Sequence, residues 1–530
     1  MNTSVDDPEA QEERLLRRLA SQPRDADALL QLGWLRLQRG EFLAARDSLL
    51  SAHVLQPRSP IIRIYAARAL VECGDYRAQQ LIRDWRDWLP LPEQQQYDLA
   101  DAMQHTDWTA ESIDVLEDLL QRSPQFRPAR LLLAALYERV NRLEDASALV
   151  DRMLAEDLGD EPQVYNELAH QKAHLLARSG EPQAAQRLLE EVGPKSDRDA
   201  DHFFLLGAIA DRVDDADAAM RHLGTAHALQ IGLLERAAPQ RLQPGEALLP
   251  AAAESLDADD LARWPNLVAP DTTNSPILVV GFPRSGTTLL EQMLDAHPAL
   301  QAMDERPHFY VLASQLEDYG IRVPGDLYKL TQSDCDELRK GYLMMACDKV
   351  RRRWGARLVD KNPLNMLWLP LIHRIFPAAQ FILALRHPCD VLLSNYLQNY
   401  RAPVLMAASR DLEHLARAYV EAFSHWFHHV AILKPAVLTV RYENLVGDQV
   451  RTAASIGSFL GLENTDAMLQ ADRHARGKGF IGTPSYTQVI EPVHRRAIGR
   501  WQRYRPWFTE ALPILAPVLE RLGYSTETDG

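Results

Sequence analysis

The chain has 530 residues, 46% hydrophobic and 25% charged, room for two or three domains with their own cores and an ordinary soluble composition. Charge divides it: residues 1–269 carry 29 Lys and Arg against 46 Asp and Glu, whereas residues 270–530 carry 29 against 27. The acidic half disfavours nucleic acid, and the mildly basic half is the better host for an anionic ligand. The opening MNTSVDDPEAQEERLL is acidic and lacks an apolar core, so no signal peptide is expected. No run of about 18 apolar residues occurs, so no membrane span is expected either. Cys73, Cys335, Cys347 and Cys389 show no metal-ligand spacing. Scattered in this way, they are expected to be buried, reduced thiols, with the cytoplasm as compartment.

Residues 10 to 235 repeat at a period of roughly 34. A turn signal recurs at Gly40, Gly74, Thr106, Asn141, Gly180 and Asp214, with an amphipathic helix before each and another after. Small residues follow the turns, as at Ala44-Ala45 and Ala218-Ala219, where two helices must approach closely. Pro57 closes one unit. The period and these marks resemble the tetratricopeptide repeat, which implies about six helix pairs stacked into an all-α superhelix. The middle pairs are degenerate. The acidity of the array suits a basic or extended protein partner in its groove, and equally a solvated helix surface. The repeat domain is expected over 1–245, a Pro-, Gly- and Asp-containing linker over 246–274, and a second domain over 275–530.

The second domain opens with PILVVGFPRSGTTLLEQMLDAH. A short continuous apolar run predicts a central parallel strand, and the helical periodicity after it predicts a helix. The loop between them therefore ends on a helix N-terminus, where backbone N–H groups and the positive end of the dipole meet anions. Gly281 and Gly286 allow the tight curl, Ser285, Thr287 and Thr288 offer hydroxyls, and Arg284 adds a fixed charge. The loop lacks the lysine that spans the β- and γ-phosphates in nucleotide-binding loops, which argues against an ATPase.

This stretch resembles the 5′-phosphosulfate loop of sulfotransferases that use 3′-phosphoadenosine-5′-phosphosulfate (PAPS), and more closely that of protein-tyrosine sulfotransferases and their relatives carrying tetratricopeptide repeats. The resemblance implies a P-loop-like α/β fold around a central parallel sheet, so the whole chain is expected to be multidomain, α followed by α/β. It extends through FILALRHPCDVLLSNYLQ, where Arg386 and Ser394 match the residues that hold the cofactor's 3′-phosphate. An arginine fork and a hydroxyl are suitable partners for a dianion. In AVLTVRYENLV, Tyr442 stands at another 3′-phosphate contact. SYTQVIEPVHRRAIGRW puts Ser485 at a cofactor-contacting serine and Arg500 where the family has a lysine.

The family's catalytic glutamate matches Glu305 in QAMDERPHF, with Asp304 and His308 as rival bases. Lys361, in RLVDKNPLN, matches a lysine that neutralises charge on the bridging oxygen as the S–O bond breaks, a task shared with Arg284 and Ser485. No metal is required. The implied acceptor is a protein or peptide tyrosine. In the tyrosine enzymes an arginine two residues after the glutamate engages the acidic peptide, whereas Arg306 follows Glu305 directly here. A small-molecule or carbohydrate hydroxyl is therefore kept as an alternative, and an inactive repeat scaffold as a second.

Overall fold

The computed structural model describes residues 8–526 apart from 74, 76, 107, 157–161, 304, 350–352, 354 and 478–493. Two compact units partition the chain: Met1–Glu246 with Asn399–Ala407, and Ala247–Gln398 with Ala408–Gly530.

The first unit is helical. Among the described residues, a leading helix, Pro8–Ser21, is followed by six successive pairs, beginning with Ala26–Gln38 and Phe42–Leu55 and ending with Ala200–Arg212 and Ala216–Ala237. The middle pairs, expected to be degenerate, are regular: Glu93–Gln104 with Thr109–Arg122, and Arg127–Arg139 with Leu143–Leu154; the irregular pair is the second. Its second member is a four-residue helix, Ala78–Leu81, followed by a 3-10 turn, Trp85–Trp88, where Pro90 and Pro92 leave little room to propagate a helix. Within pairs, the turn residues Gly40, Asn141, Gly180 and Asp214 all have positive φ, between 63° and 90°. Gly, Asn and Asp enter this left-handed region at least cost, so one conformation underlies four of the six turn signals; Thr106 does not share it, and Gly74 lies outside the described residues. Ala45 and Ala219 are fully buried. Across from them, a Cβ at Gly33 would lie 2.4 Å from Leu49, so the first pair can close only on glycine. Residues 399–407 fold with this unit: Met406 and Ala407 cluster with Leu234 and Ala238, and Gln230 Nε2–H donates to Asn399 Oδ1 at 2.7 Å.

Among its described residues the second unit holds one five-stranded, all-parallel sheet. Its strands are β1 (Ile277–Val280), β2 (Leu300–Ala302), β3 (Arg357–Lys361), β4 (Gln380–Leu385) and β5 (Ala436–Arg441), in the order β2-β3-β1-β4-β5. Every residue of β1 is buried, which is why the strand is continuously apolar rather than alternating. The helix Thr287–Asp295 packs Leu290 and Met293 on one sheet face with Ile456 and Leu460 of the helix Gln449–Leu460. Elsewhere in the unit the helix Leu412–Leu433 brings Tyr419 against Phe282 and Trp426 against Phe381. Residues 247–274 run along this unit; Leu256 N–H, for example, donates to His429 Nε2 at 3.0 Å. The chain order switches direction between β1 and β4, and in open parallel sheets the crevice at such a point, beyond the strand carboxyl ends, is where ligands bind.

The four cysteines form no disulfide. Cys335 and Cys389 are buried as expected, but Cys347 is exposed and Cys73 half-buried, because an apolar neighbourhood in sequence does not decide which side of a helix a residue occupies. Among the described residues no helix is long and apolar enough to cross a membrane.

Candidate active site

The loop after β1 curls through three residues of positive φ: Gly281 at 153°, Arg284 at 72° and Gly286 at 95°. A Cβ on Gly281 would sit 2.5 Å from the Ala384 carbonyl oxygen, and one on Gly286 would sit 2.6 Å from the Tyr442 ring. Both positions need glycine for conformation and for closeness. Arg284 has no such excuse: a non-glycine residue held there costs roughly 1–2 kcal/mol, and strain of this kind gathers at functional loops. The loop is tied down by Gly281 N–H to Pro363 O at 3.1 Å and by Asn395 Nδ2–H to Pro283 O at 2.9 Å. Ser285, Thr287 and Thr288 are all buried at its end, and Gly286 is the N-cap of the helix Thr287–Asp295.

Arg386 follows β4 directly, and Ser394 lies in the helix Pro388–Tyr396. The structure brings both to the loop. Arg284 Nε–H donates to Ser394 Oγ at 3.2 Å, and Arg386 donates to the Arg284 carbonyl at 3.3 Å and to that of Ala497. The Arg386 guanidinium lies 5.3 Å from the centre of the Tyr442 ring. Burial pushes Arg386 below the usual arginine range; Asp390 and Tyr442 oppose the shift and Arg500 adds to it. Burial also raises the Tyr442 hydroxyl, which the charge of Arg386 partly offsets. Arg500 begins the 3-10 segment Arg500–Phe508. That segment is anchored by buried Asp390, which accepts from Gly499 N–H at 2.7 Å and Trp501 N–H at 2.9 Å. Three arginines thus converge on the crevice, an arrangement that favours an anion.

Lys361 is the last residue of β3, and its side chain is fully buried. Its Nζ donates to Glu305 Oε2 at 2.8 Å and lies 3.5 Å from Glu291 Oε2. Glu305 is 39% exposed while Glu291 is sealed, so only Glu305 can meet an incoming molecule. Asn362 Nδ2–H donates to the Arg306 carbonyl at 3.0 Å and so holds the segment carrying Glu305 beside the end of β3. His308, a rival base from sequence, is turned inward, with Nδ1 3.3 Å from Asp360 Oδ2 in a buried group with Tyr342 and Asn365. Asp304 and Ser485 lie outside the described residues.

Sequence reasoning passed over Glu291, Asp390 and Asn362. Glu291 is the instructive one, because a charged residue inside an amphipathic pattern counts as solvent-facing, yet this helix is buried on every side.

Residues 276–466 match the family model described as the sulfotransferase family, and residues 109–170 match the tetratricopeptide repeat. The chain is similar to a protein of Aquifex aeolicus, 27% identical over 256 residues, 47% of this chain and 33% of that one. It is also similar to protein-tyrosine sulfotransferase 2 of Gallus gallus (26% over 265 residues, 47% of this chain and 69% of that one) and to protein-tyrosine sulfotransferase 1 of Danio rerio (27% over 264 residues, 47% and 72%). The chain therefore spans a third of the Aquifex relative and about seven-tenths of the two vertebrate ones. With the parallel sheet, its P-loop-like turn and the helical pairs before them, these matches identify the chain as tetratricopeptide repeats joined to a domain of the sulfotransferase family.

Proposed function

We propose that the second unit moves a sulfuryl group from PAPS to an acceptor hydroxyl, with protein or peptide tyrosine as the leading acceptor, in the cytoplasm. The observation that carries this reading is the bond between Arg284 and Ser394, 110 residues apart, which joins the two anion-holding motifs into one crevice. Two further features fit the donor. Ser285 Oγ and Arg386 Nε are buried with no hydrogen-bond partner among the described residues, and a group left so normally answers to a ligand or water. The Gly281–Gly286 curl also lies close against the Ala384 carbonyl and the Tyr442 ring, which sets the loop beside a proposed 3′-phosphate contact.

In this reading the loop amides and the hydroxyls of Ser285, Thr287 and Thr288 hold the 5′-phosphosulfate. Arg386, Ser394, Tyr442 and Arg500 hold the 3′-phosphate. PAPS, when bound, supplies an activated sulfuryl group. Glu305 takes the proton of the acceptor hydroxyl as its oxygen bonds to sulfur. Lys361, with Arg284 and Ser485, offsets the charge left on the bridging oxygen as the S–O bond breaks and adenosine 3′,5′-bisphosphate departs. No metal is needed, because fixed cations and oriented amides answer the developing charge. The vertebrate relatives support tyrosine as acceptor, and the repeats would recruit the substrate or a partner protein on their concave face. The position of Arg306 favours a second reading, the same donor with a small-molecule or carbohydrate hydroxyl.

The test is transfer of labelled sulfur from PAPS into a fractionated lysate of the source cell, comparing the native chain with Glu305→Ala. Label on protein, lost in the variant, is expected. Label only in small molecules would keep the donor and overturn the acceptor. Thermal melts add a check on the donor. The bisphosphate at about 100 times its Kd adds near 2.7 kcal/mol of stability. A shift with Mg·ATP alone would overturn the reading, and no shift with either would leave an inactive scaffold.

A further inference from the structure

In the repeat unit, well apart in sequence from the crevice residues, the side chains of His170, Asp199 and His202 turn toward one another, and all three are buried. His170 comes from the helix Pro162–Arg178; Asp199 is the N-cap of the helix Ala200–Arg212, which carries His202. One donor atom of each lies within 4.8 Å of the others. His170 Nε2 is 2.9 Å from His202 Nδ1 and 3.6 Å from Asp199 Oδ2. Ligands of a tetrahedral zinc ion, bound at about 2.0–2.1 Å, stand roughly 3.3 Å apart, a value these two separations bracket.

The surroundings orient the donors as metal sites require. His170 Nδ1 lies 2.8 Å from the Asn166 carbonyl oxygen. A carbonyl only accepts, so the proton is on Nδ1 and the Nε2 lone pair faces the other two residues. A backbone carbonyl on the far ring nitrogen is the usual outer support of a metal-bound histidine. The Asp199 carboxylate is fixed by Lys195 N–H to Oδ2 at 2.8 Å and His202 N–H to Oδ1 at 3.2 Å. Capping a helix explains the second of these bonds. It does not explain two imidazoles from successive repeats meeting at the same carboxylate. Lys195 Nζ, 3.9 Å from Asp199 Oδ1, is the local cation; its side chain is 37% exposed and can swing into water.

We propose that His170 Nε2, His202 Nδ1 and an Asp199 oxygen bind a divalent transition ion, Zn²⁺ by this donor set, with water as the fourth ligand. On binding, the His202 proton passes from Nδ1 to its own Nε2, and no redox change is involved. The ion fastens the fifth helix pair to the sixth. Cysteine spacing predicts no metal in this chain, and no cysteine takes part.

The experiment uses the full chain, stripped with a chelator and dialysed, then titrated with Zn²⁺ by calorimetry and melted with and without it. One ion per chain and a rise in melting temperature are expected. Asp199→Asn, which keeps the helix cap since Asn caps as well as Asp, and His202→Gln should each weaken binding by roughly tenfold or more. Co²⁺ in place of Zn²⁺ should give a four-coordinate visible spectrum without a thiolate charge-transfer band. Absence of binding, an affinity unchanged in either variant, or a thiolate band would overturn the proposal.

Discussion

Lys361 Nζ lies 3.5 Å from the Glu291 carboxylate, and neither side chain reaches solvent. The ammonium proposed to act on the leaving group thus has two carboxylates, one sealed and one facing out. Lys361→Ala takes the cation away from a carboxylate that cannot be hydrated, and removing one member of such a buried pair costs roughly 3–5 kcal/mol. Glu305→Ala empties a partly exposed position and should cost under about 1 kcal/mol. Urea denaturation of the two variants measures this. Equal losses would overturn the prediction that orphaning the sealed Glu291 is the costlier change.

Activity should order the same residues differently. Glu305→Ala and Lys361→Ala should each lower turnover by roughly 10²–10³, as loss of one preorganised group at a reacting centre does, while bisphosphate affinity holds in the folded fraction. Ser394→Ala and Arg386→Ala should weaken bisphosphate binding, by up to about tenfold for the neutral hydroxyl and by more for the charged fork. Calorimetric Kd values beside turnover numbers decide the assignment. A Glu305→Ala enzyme near full rate would remove it as the base.

Gly286→Ala tests the loop itself. The new methyl would need a φ of 95° and would press the Tyr442 ring from 2.6 Å, so ring and loop must part. Bisphosphate should then bind at least tenfold more weakly, with stability down by about 1–3 kcal/mol. Unchanged affinity would show that Tyr442 and the loop do not form one binding surface.

Acid should weaken the second unit through the helix Leu412–Leu433. Burial lowers His429 to about 3 and His425 to about 4. His429 uses both ring nitrogens while neutral, accepting from Leu256 N–H and donating to the His425 carbonyl, so a second proton would face an N–H. With folded values below the unfolded 6.5, stability is complete above that pH and drains as pH falls toward 4. Each histidine contributes at most about 1.4 kcal/mol per pH unit. Denaturation midpoints at pH 7 and pH 5 should differ, and His429→Gln should flatten the difference while lowering the value at pH 7. The same slope in both proteins would clear His429 of the effect.

What the sequence disclosed follows from how local each signal is. The run PILVV, closed by glycine, and the strands before Arg386, before Tyr442 and ending at Lys361, each closed by a charged residue, announce themselves through apolar runs. The three-residue β2 has no such run, and its pairing with β3 depends on chain 57 residues away at Arg357. The loop glycines were legible because tight curls demand them. Glu291 was not, since an amphipathic pattern cannot tell a solvated face from one covered by distant segments. His170 and His202, 32 positions apart, meet only because helices stack.

The shared left-handed turn at Gly40, Asn141, Gly180 and Asp214 bears on how such an array can change over time. Four of the helix pairs are closed by one backbone shape, and three residue types are interchangeable in meeting it. Letters at the turns can therefore drift without moving the helices, whereas an insertion or deletion within a pair would shift both apolar stripes at once. The array is strict about count and lenient about spelling.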